Sequence, residues 1–201
     1  MQNTIHRLNS SHWEEIKDLF FVCENSSLER TSKKLGISVD RLPSVDNVWQ
    51  LWGAAIQKYY LGNSDHHHLY GNFVDGKMQT MLGWRSDLPA PYENDWVIVY
   101  MKSRPSETSN LSQLEPLWRL MFNQCEAQDL DRWHAIVKKD RYTKFDAFER
   151  KYTPDIHQRY KYLTTIDIPA HTRPSVEWVW AMMGRSLLPS HQEVRTGTRI
   201  E

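Results

Sequence analysis

Between Arg104 and Asn110 the chain reads RPSETSN, just ahead of an amphipathic run. A guanidinium, the hydroxyls of Ser106, Thr108 and Ser109 and the carboxamide of Asn110 can all hydrogen-bond an anion. A helix N-terminus behind them would add unpaired N–H groups and partial positive charge. The stretch contains no glycine and places a carboxylate, Glu107, at its centre. The same residues therefore also read as a plain capped turn, since a bare backbone is what lets main-chain N–H groups close on a phosphate.

Other residues carry chemistry of their own. Asp65-His66-His67-His68 offers imidazoles, but alternate residues of an extended segment face opposite ways. At most His66 and His68 could share an ion, and a polar loop entering a strand is the plainer reading, so no metal is expected. Either histidine could instead serve as a base, because imidazole titrates near neutrality. Glu93 and Asp95 precede an apolar strand, where an acid could activate water, although loop carboxylates are more often simply solvated. Tyr142 and Tyr152 bracket a helix, and Lys138, Lys139, Arg141, Arg150 and Lys151 form a modest basic spot. That spot could attract phosphates or an acidic partner, with a solvated face as the simpler alternative. Neither a Ser-His-Asp order, a P-loop nor a dinucleotide fingerprint is present.

The elements that must position these groups follow from periodicity. Thr4–Leu8 reads as a strand, and Ser11 with Glu14 as a capping box for a helix through Cys23. A short polar helix over Ser26–Leu35 is closed by Gly36, and a second amphipathic helix spans Val45–Leu61 with Val48, Leu51, Trp52, Ala55, Ile56 and Tyr59 as its stripe. Asp75-Gly76 between LYGNFV and KMQTMLGWR predicts a tight hairpin, because both turn positions need positive φ. Trp96–Lys102 reads as a central strand. The helix behind it must hold Pro116 in its first turn, with Leu117, Leu120, Met121 and Gln124 or Cys125 facing inward. WHAIV (133–137) is another strand, Thr143–Tyr152 a helix stopped by Pro154, and Tyr160 to Ile168 an alternating strand. Val176–Met183 reads as a short helix and Gln192–Ile200 as a last strand.

The 201 residues balance 25 Lys plus Arg against 25 Asp plus Glu. That excludes an overall basic field for nucleic acid or anionic lipid, and no apolar run is long enough to span a membrane. Met1–Ser11 is too polar for a secretory signal, and two cysteines without metal or disulfide spacing suit a reducing compartment. A cytoplasmic location is expected. No linker divides the chain, so 1–201 is read as one domain with an extended C-terminal segment from about residue 170.

The order of strand, helices, DG hairpin with KMQTMLGWR, strand WVIVYMK, helix, strand WHAIV, helix and closing hairpin resembles the GCN5-related N-acetyltransferase (GNAT) superfamily. The resemblance covers nearly the whole chain, through element order more than motif. It implies an α/β fold with a central, mostly antiparallel splayed sheet flanked by helices. It further implies acetyl-CoA in the gap beside the fourth strand, and attack of an amine on the thioester with help from a base and a tyrosine acid. In the family, Arg or Gln is followed, after two intervening residues, by a Gly-x-Gly/Ala turn. Laid on this chain, that pattern keeps Arg104 and the small Ser109 but puts Glu107 at the glycine.

The family's Asn-x-x-Ala helix is met here by Lys144 and Ala147, with no Gly-Phe pair following. The resemblance assigns the main chain of Val99, Tyr100 and Met101 to the pantetheine, and Arg104, Ser106, Thr108, Ser109 and Asn110 to the pyrophosphate. Tyr152, or Tyr142 ahead of the helix, is the acid candidate and His68 a base candidate, while Tyr152 also reads as a core edge. Trp178, Trp180, Met182 and Met183 would line an acceptor channel or a dimer seam, or simply pack. The expected partner is a small-molecule or peptide amine. The competing reading is a non-catalytic assembly protein that has lost its cofactor and engages a protein partner or a second copy. The degenerate motifs also resemble GNAT-like proteins of tailed bacteriophages, which would place the chain in a host cytoplasm.

Overall fold

The computed structural model describes residues 3–62, 64–105, 110–130, 132–138, 142–168 and 178–185, with side chains for 3–62, 64–105, 112–130, 132–135 and 145–160. The chain enters through β1 (Asn3–Arg7) and turns at Asn9. The Asn9 side chain accepts from the Ser11 N–H at 2.9 Å, and His12 Nδ1 accepts from the Asn9 N–H at 3.3 Å. A capping box thus forms at Asn9–His12 and not at Ser11–Glu14, because Asn9 has the extended backbone an N-cap needs. It caps a 3₁₀ turn, Ser10–His12, that leads into α1, a single helix over Trp13–Leu35. The sequence reading split this element near Ser26. The polar residues there include no glycine or proline, so the helix runs on to Gly36, whose left-handed backbone (φ 63°) ends it.

Ser44 caps α2 (Val45–Tyr59) by accepting from the Asp46 N–H at 3.2 Å. Its inner stripe is turned from the expected one. Val45, Gly53 and Ile56 are buried with Trp49 and Trp52 against α1, whereas Leu51 is 76% exposed and Tyr59 46%. A chain of ring contacts from Trp13 and Phe20 to Trp49 and Trp52 clamps the two helices.

Asp75 (φ 49°) and Gly76 (φ 77°) make the predicted turn between β2 (His67–Val74) and β3 (Lys77–Arg85). β4 (Asp95–Ser103) runs antiparallel to β3, and α3 (Glu115–Ala127) crosses over to β5 (Arg132–Lys138), which lies parallel to β4. Then come α4 (Tyr142–Tyr152), α5 (Pro154–Arg159), β6 (Tyr160–Ile168) and β7 (Trp178–Arg185). The sheet order is β1-β2-β3-β4-β5-β7-β6, antiparallel at every junction except β4–β5.

Two expectations change here. The sequence of Val176–Met183 predicts a short helix, but 178–185 is β7, inserted between β5 and β6. Its Trp and Val content favours a strand once two partner edges are available. Pro154 begins α5 instead of simply ending α4, since a proline fits the first turn of a helix. The strand expected over Gln192–Ile200 lies outside the described residues.

Strand alternation divides the sheet's side chains between two cores. On one face α1 and α2 cover Leu69, Phe73, Met78, Met81 and Tyr100. On the other, α3, α4 and α5 cover Leu82, Trp84, Trp96, Ile98, Trp133 and Ala135. Trp118, Met121, Phe122 and Cys125 form the inward face of α3. Trp118 and Phe122, absent from the sequence-based list, are fully buried, whereas Leu120 is only partly so. Burial pushes the Cys23 and Cys125 thiols above their ordinary range, which makes both structural and poorly reactive.

Candidate functional site at the fork between β4 and β5

The parallel pairing of β4 with β5 is short. It begins at Asp95 with Arg132 and ends at Ile98 with Ala135, yet β4 runs on to Ser103 and β5 to Lys138. Beyond Ile98 the β4 edge that faces β5 has no ladder partner among the described residues, so it offers main-chain donors and acceptors to whatever enters the fork. A bulge shapes the same place. Gly83 pairs with Tyr100 and Trp84 with Ile98, which leaves Val99 as the extra residue on β4. The bulge reverses the alternation. Ile98 faces the α3 core, but Tyr100 joins the α1/α2 core, and Val99 and Met101 are left 38% and 36% exposed. Among the described residues the fork therefore combines an apolar lining with a peptide edge outside any ladder, a chemistry that suits an extended chain carrying both amides and methylenes.

Glycine is required opposite the bulge. A Cβ on Gly83 would lie 2.8 Å from Leu69 Cδ1 and 3.1 Å from Tyr100 Cδ2. On the α1/α2 face, Tyr100 meets Trp52 and Tyr60 edge-on, and Lys102 lies over the Trp52 and Phe20 rings while pairing with Glu24. Burial drives the Tyr60 and Tyr100 hydroxyls above their usual range, so neither is poised to release a proton near neutrality.

Arg104 follows β4, as the resemblance requires, but its side chain is engaged. Nη2 donates to Asp18 Oδ2 of α1 at 2.6 Å, and Nε donates to the Met78 carbonyl at 3.2 Å. Ser106, Thr108 and Ser109, with Glu107, lie outside the described residues. Asn110 opens a 3₁₀ turn over Asn110–Gln113. That turn is tethered to the hairpin, since the Gln113 carbonyl accepts from buried Asn72 Nδ2 at 2.7 Å and from buried Thr80 Oγ1 at 3.0 Å. α3 then begins with no side-chain cap and with a proline in its first turn, leaving its first N–H groups to other partners.

α4 presents two faces. Asp146, Ala147, Arg150 and Lys151 line a surface cavity of about 320 Å³. Phe145, Phe148 and Glu149 turn inward on Trp118. Tyr152 belongs to the second set: its ring packs on Phe148 at 5.3 Å and against the α3 core. Glu149 is 5% exposed and accepts from Trp118 Nε1 at 3.0 Å. Burial pushes its carboxyl up to about 7 in spite of that hydrogen bond.

His68 is on β2 opposite Trp84, which in turn pairs with Ile98 of β4. Two strand spacings, about 10 Å, separate it from β4. Its ring stacks on Trp84 at 5.0 Å, and Nε2 bonds the Asp65 carbonyl at 3.0 Å. Burial lowers its pKa. The structure thus brings Val99, Tyr100, Met101 and Arg104 together along the fork, with Tyr152 on the inner face of α4 and His68 two strands away. Among the described residues no group of three or more His, Cys, Asp or Glu side chains is placed to hold a metal ion.

Sequence reasoning passed over one cluster. Asp95, which the sequence offers as a water-activating acid or a solvated loop carboxylate, is the first residue of β4 and fully buried. Its Oδ2 accepts from His134 Nε2–H at 2.6 Å and its Oδ1 from Arg132 Nε at 2.7 Å, while the Tyr92 ring meets His134 edge-on. The available signal was the lone polar residue inside WHAIV. An imidazole in the middle of a central strand needs a buried partner.

A short parallel seam, a bulged fourth strand and a crossover helix between them decide the architecture. The fold is that of the GCN5-related N-acetyltransferases. A probable acetyltransferase from Staphylococcus epidermidis ATCC 12228 is similar at TM-score 0.60 and 11% identity, over 92% of this chain and 100% of that one. An acetyltransferase of the GNAT family from Streptococcus pneumoniae matches at TM-score 0.54 and 13% identity, over 92% and 100%. The PaiA N-acetyltransferase from Thermoplasma acidophilum, in complex with coenzyme A, matches at TM-score 0.51 and 10% identity, over 92% and 100%. No family model and no curated protein sequence matches the chain. Among the described residues no helix is long and apolar enough to cross a membrane.

Proposed function

We propose that this protein is an N-acyltransferase that moves an acetyl group from acetyl-CoA to a primary amine. The observation that carries the reading is the β4 edge beyond Ile98, which has no ladder partner among the described residues, with Val99 and Met101 exposed beside it. A pantetheine arm is an extended diamide, and it matches such an edge as an added strand would. In this reading the main chain of Val99, Tyr100 and Met101 holds the arm. Arg104, Ser106, Thr108, Ser109 and Asn110 are the proposed partners of the diphosphate, and the Arg150/Lys151 side of the α4 cavity is a proposed second anchor for phosphate charge. The bound cosubstrate supplies an activated acyl thioester. The chain supplies alignment and exclusion of water by the aromatic core around the seam. Tyr152, at the end of α4, is the proposed proton donor to the leaving thiolate.

The neighbours' printed names support the reading, because they are acetyltransferases and one was solved with coenzyme A. The second reading, a binding protein on the same scaffold, is favoured by the Arg104–Asp18 pair, which occupies the guanidinium. Calorimetric titration with acetyl-CoA and with desulfo-CoA separates the two. Saturable binding of both supports the transferase, and no heat at millimolar ligand removes it.

A further inference from the structure

The composition of α2 does not match its surroundings. Its inner flank is committed to the fold: Trp49 meets Trp13 at 5.0 Å, Trp52 meets Tyr100 at 4.9 Å, and Val45, Gly53 and Ile56 are buried. A helix in this position ordinarily fills its outward side with charge. Here no residue from Asn47 to Gln57 is charged, and the helix carries only Asp46 in its first turn and Lys58 in its last. Leu51, in the middle of the outward side, is 76% exposed, and among the described residues it belongs to none of the hydrophobic clusters. One exposed leucine is ordinary, whereas an uncharged helix face around it marks a contact surface.

That face is complementary to itself. Asn47, Leu51, Ala54 and Lys58 are all exposed and fall at i, i+4, i+7 and i+11, which is one line along a helix. Reversed and laid on its own copy, the line puts Leu51 against Ala54 and Lys58 against Asn47, each contact made twice by the two-fold axis. The large side chain meets a small one, with Ala55 beside it, so the two backbones can approach closely. The charges match as well. The basic last turn of one copy lies beside the first turn of the other, where Asp46 stands. A parallel arrangement would instead bring Asp46 to Asp46 and Lys58 to Lys58.

We propose that the outward face of α2 is an isologous interface, on which a second copy of this chain docks antiparallel through Asn47, Leu51, Ala54 and Lys58. The proposal stands on α2 alone and does not depend on the transferase reading. One helix pair buries less than about 1,200 Å², the size of transient contacts. The dimer is therefore concentration-dependent, half formed at roughly 10–100 μM.

Sedimentation velocity of the full chain from about 5 to about 500 μM is the test, a range that brackets the expected midpoint. Wild type should pass from monomer to dimer across it, and Leu51→Glu should stay monomeric throughout. Because Leu51 lies outside the core, that variant should keep the wild-type melting temperature within about 2 °C. Asn47→Lys and Lys58→Glu should each weaken self-association at least about tenfold, since like charges then face each other across the axis. Mixed one to one, these two variants should associate again, because the introduced ammonium of one faces the introduced carboxylate of the other. A wild type that is monomeric at the highest concentration, or a dimer that survives Leu51→Glu, overturns the proposal. So does a mixture that associates no better than either variant alone. A monomeric wild type that binds a foreign chain through Leu51 would assign the face to another partner and overturn it equally.

Discussion

The Arg104 guanidinium is paired with Asp18, 86 positions away in the chain, with Nη2 and Oδ2 2.6 Å apart. One cation at the mouth of the fork is thus held by α1 and drawn away from any diphosphate. Asp18 is 57% exposed, so the pair contributes at most about 1 kcal/mol and can be traded for a better anion. Asp18→Asn should tighten acetyl-CoA binding by roughly two- to fivefold in calorimetry. Weaker or unchanged binding would mean that Arg104 serves α1 and the strand alone.

Met101 is 36% exposed beside the β4 edge that has no ladder partner among the described residues. Met101→Trp should fill the fork and weaken CoA binding at least about tenfold. Because the side chain is not in the core, the melting temperature should move by no more than about 2 °C. A variant that still binds CoA as wild type does would show that the arm lies elsewhere.

Gly83 faces the bulge, and any Cβ there would press on Leu69, Tyr100 and the His68 carbonyl. Gly83→Ala should destabilise the fold by about 1–3 kcal/mol, a fall of several degrees in thermal unfolding. It should also reduce CoA affinity, since the bulge fixes the direction of Val99. An unchanged melting temperature would contradict the packing at that position.

Glu149 gives a pH signature. Its folded pKa of about 7 lies above its ordinary value of 4.5, so between those values the folded state holds a proton that the unfolded chain has released. Stability from this group is therefore highest below its ordinary pKa, falls as pH rises through the window, and is flat above about 7, a change of roughly 3 kcal/mol. Glu149→Gln keeps an acceptor for Trp118 and removes the titration. Denaturant unfolding at pH 5 and pH 8 should show the variant gaining on wild type at the higher pH. Parallel curves would remove the buried carboxyl from the pH response.

The hairpin was legible because Asp-Gly admits few alternatives, and the crossover helix because Pro116 fits only a first turn. Residue-level geometry at the site was harder to read. Whether Tyr152 faces inward on α4 depends on one residue of helical phase, and no local preference resolves 100° when both faces carry aromatics. Asp95 and His134 lie 39 positions apart, and only the parallel seam makes them neighbours. β7 was misread for a similar reason, because its two partners come from distant parts of the chain.

The seam itself carries a mechanical consequence. β1 to β4 form one leaf and β5, β7 and β6 another, and among the described residues the leaves share only the ladder from Asp95 to Ile98. So few rungs cannot dictate the angle between them. That angle is set by the volume of the rings wedged beneath, with Trp96 and Trp133 side by side and Phe122 packed against both. Ring size at those positions acts as a spacer on the book's spine, and trimming it should alter how far the pages open without touching a residue that lines them.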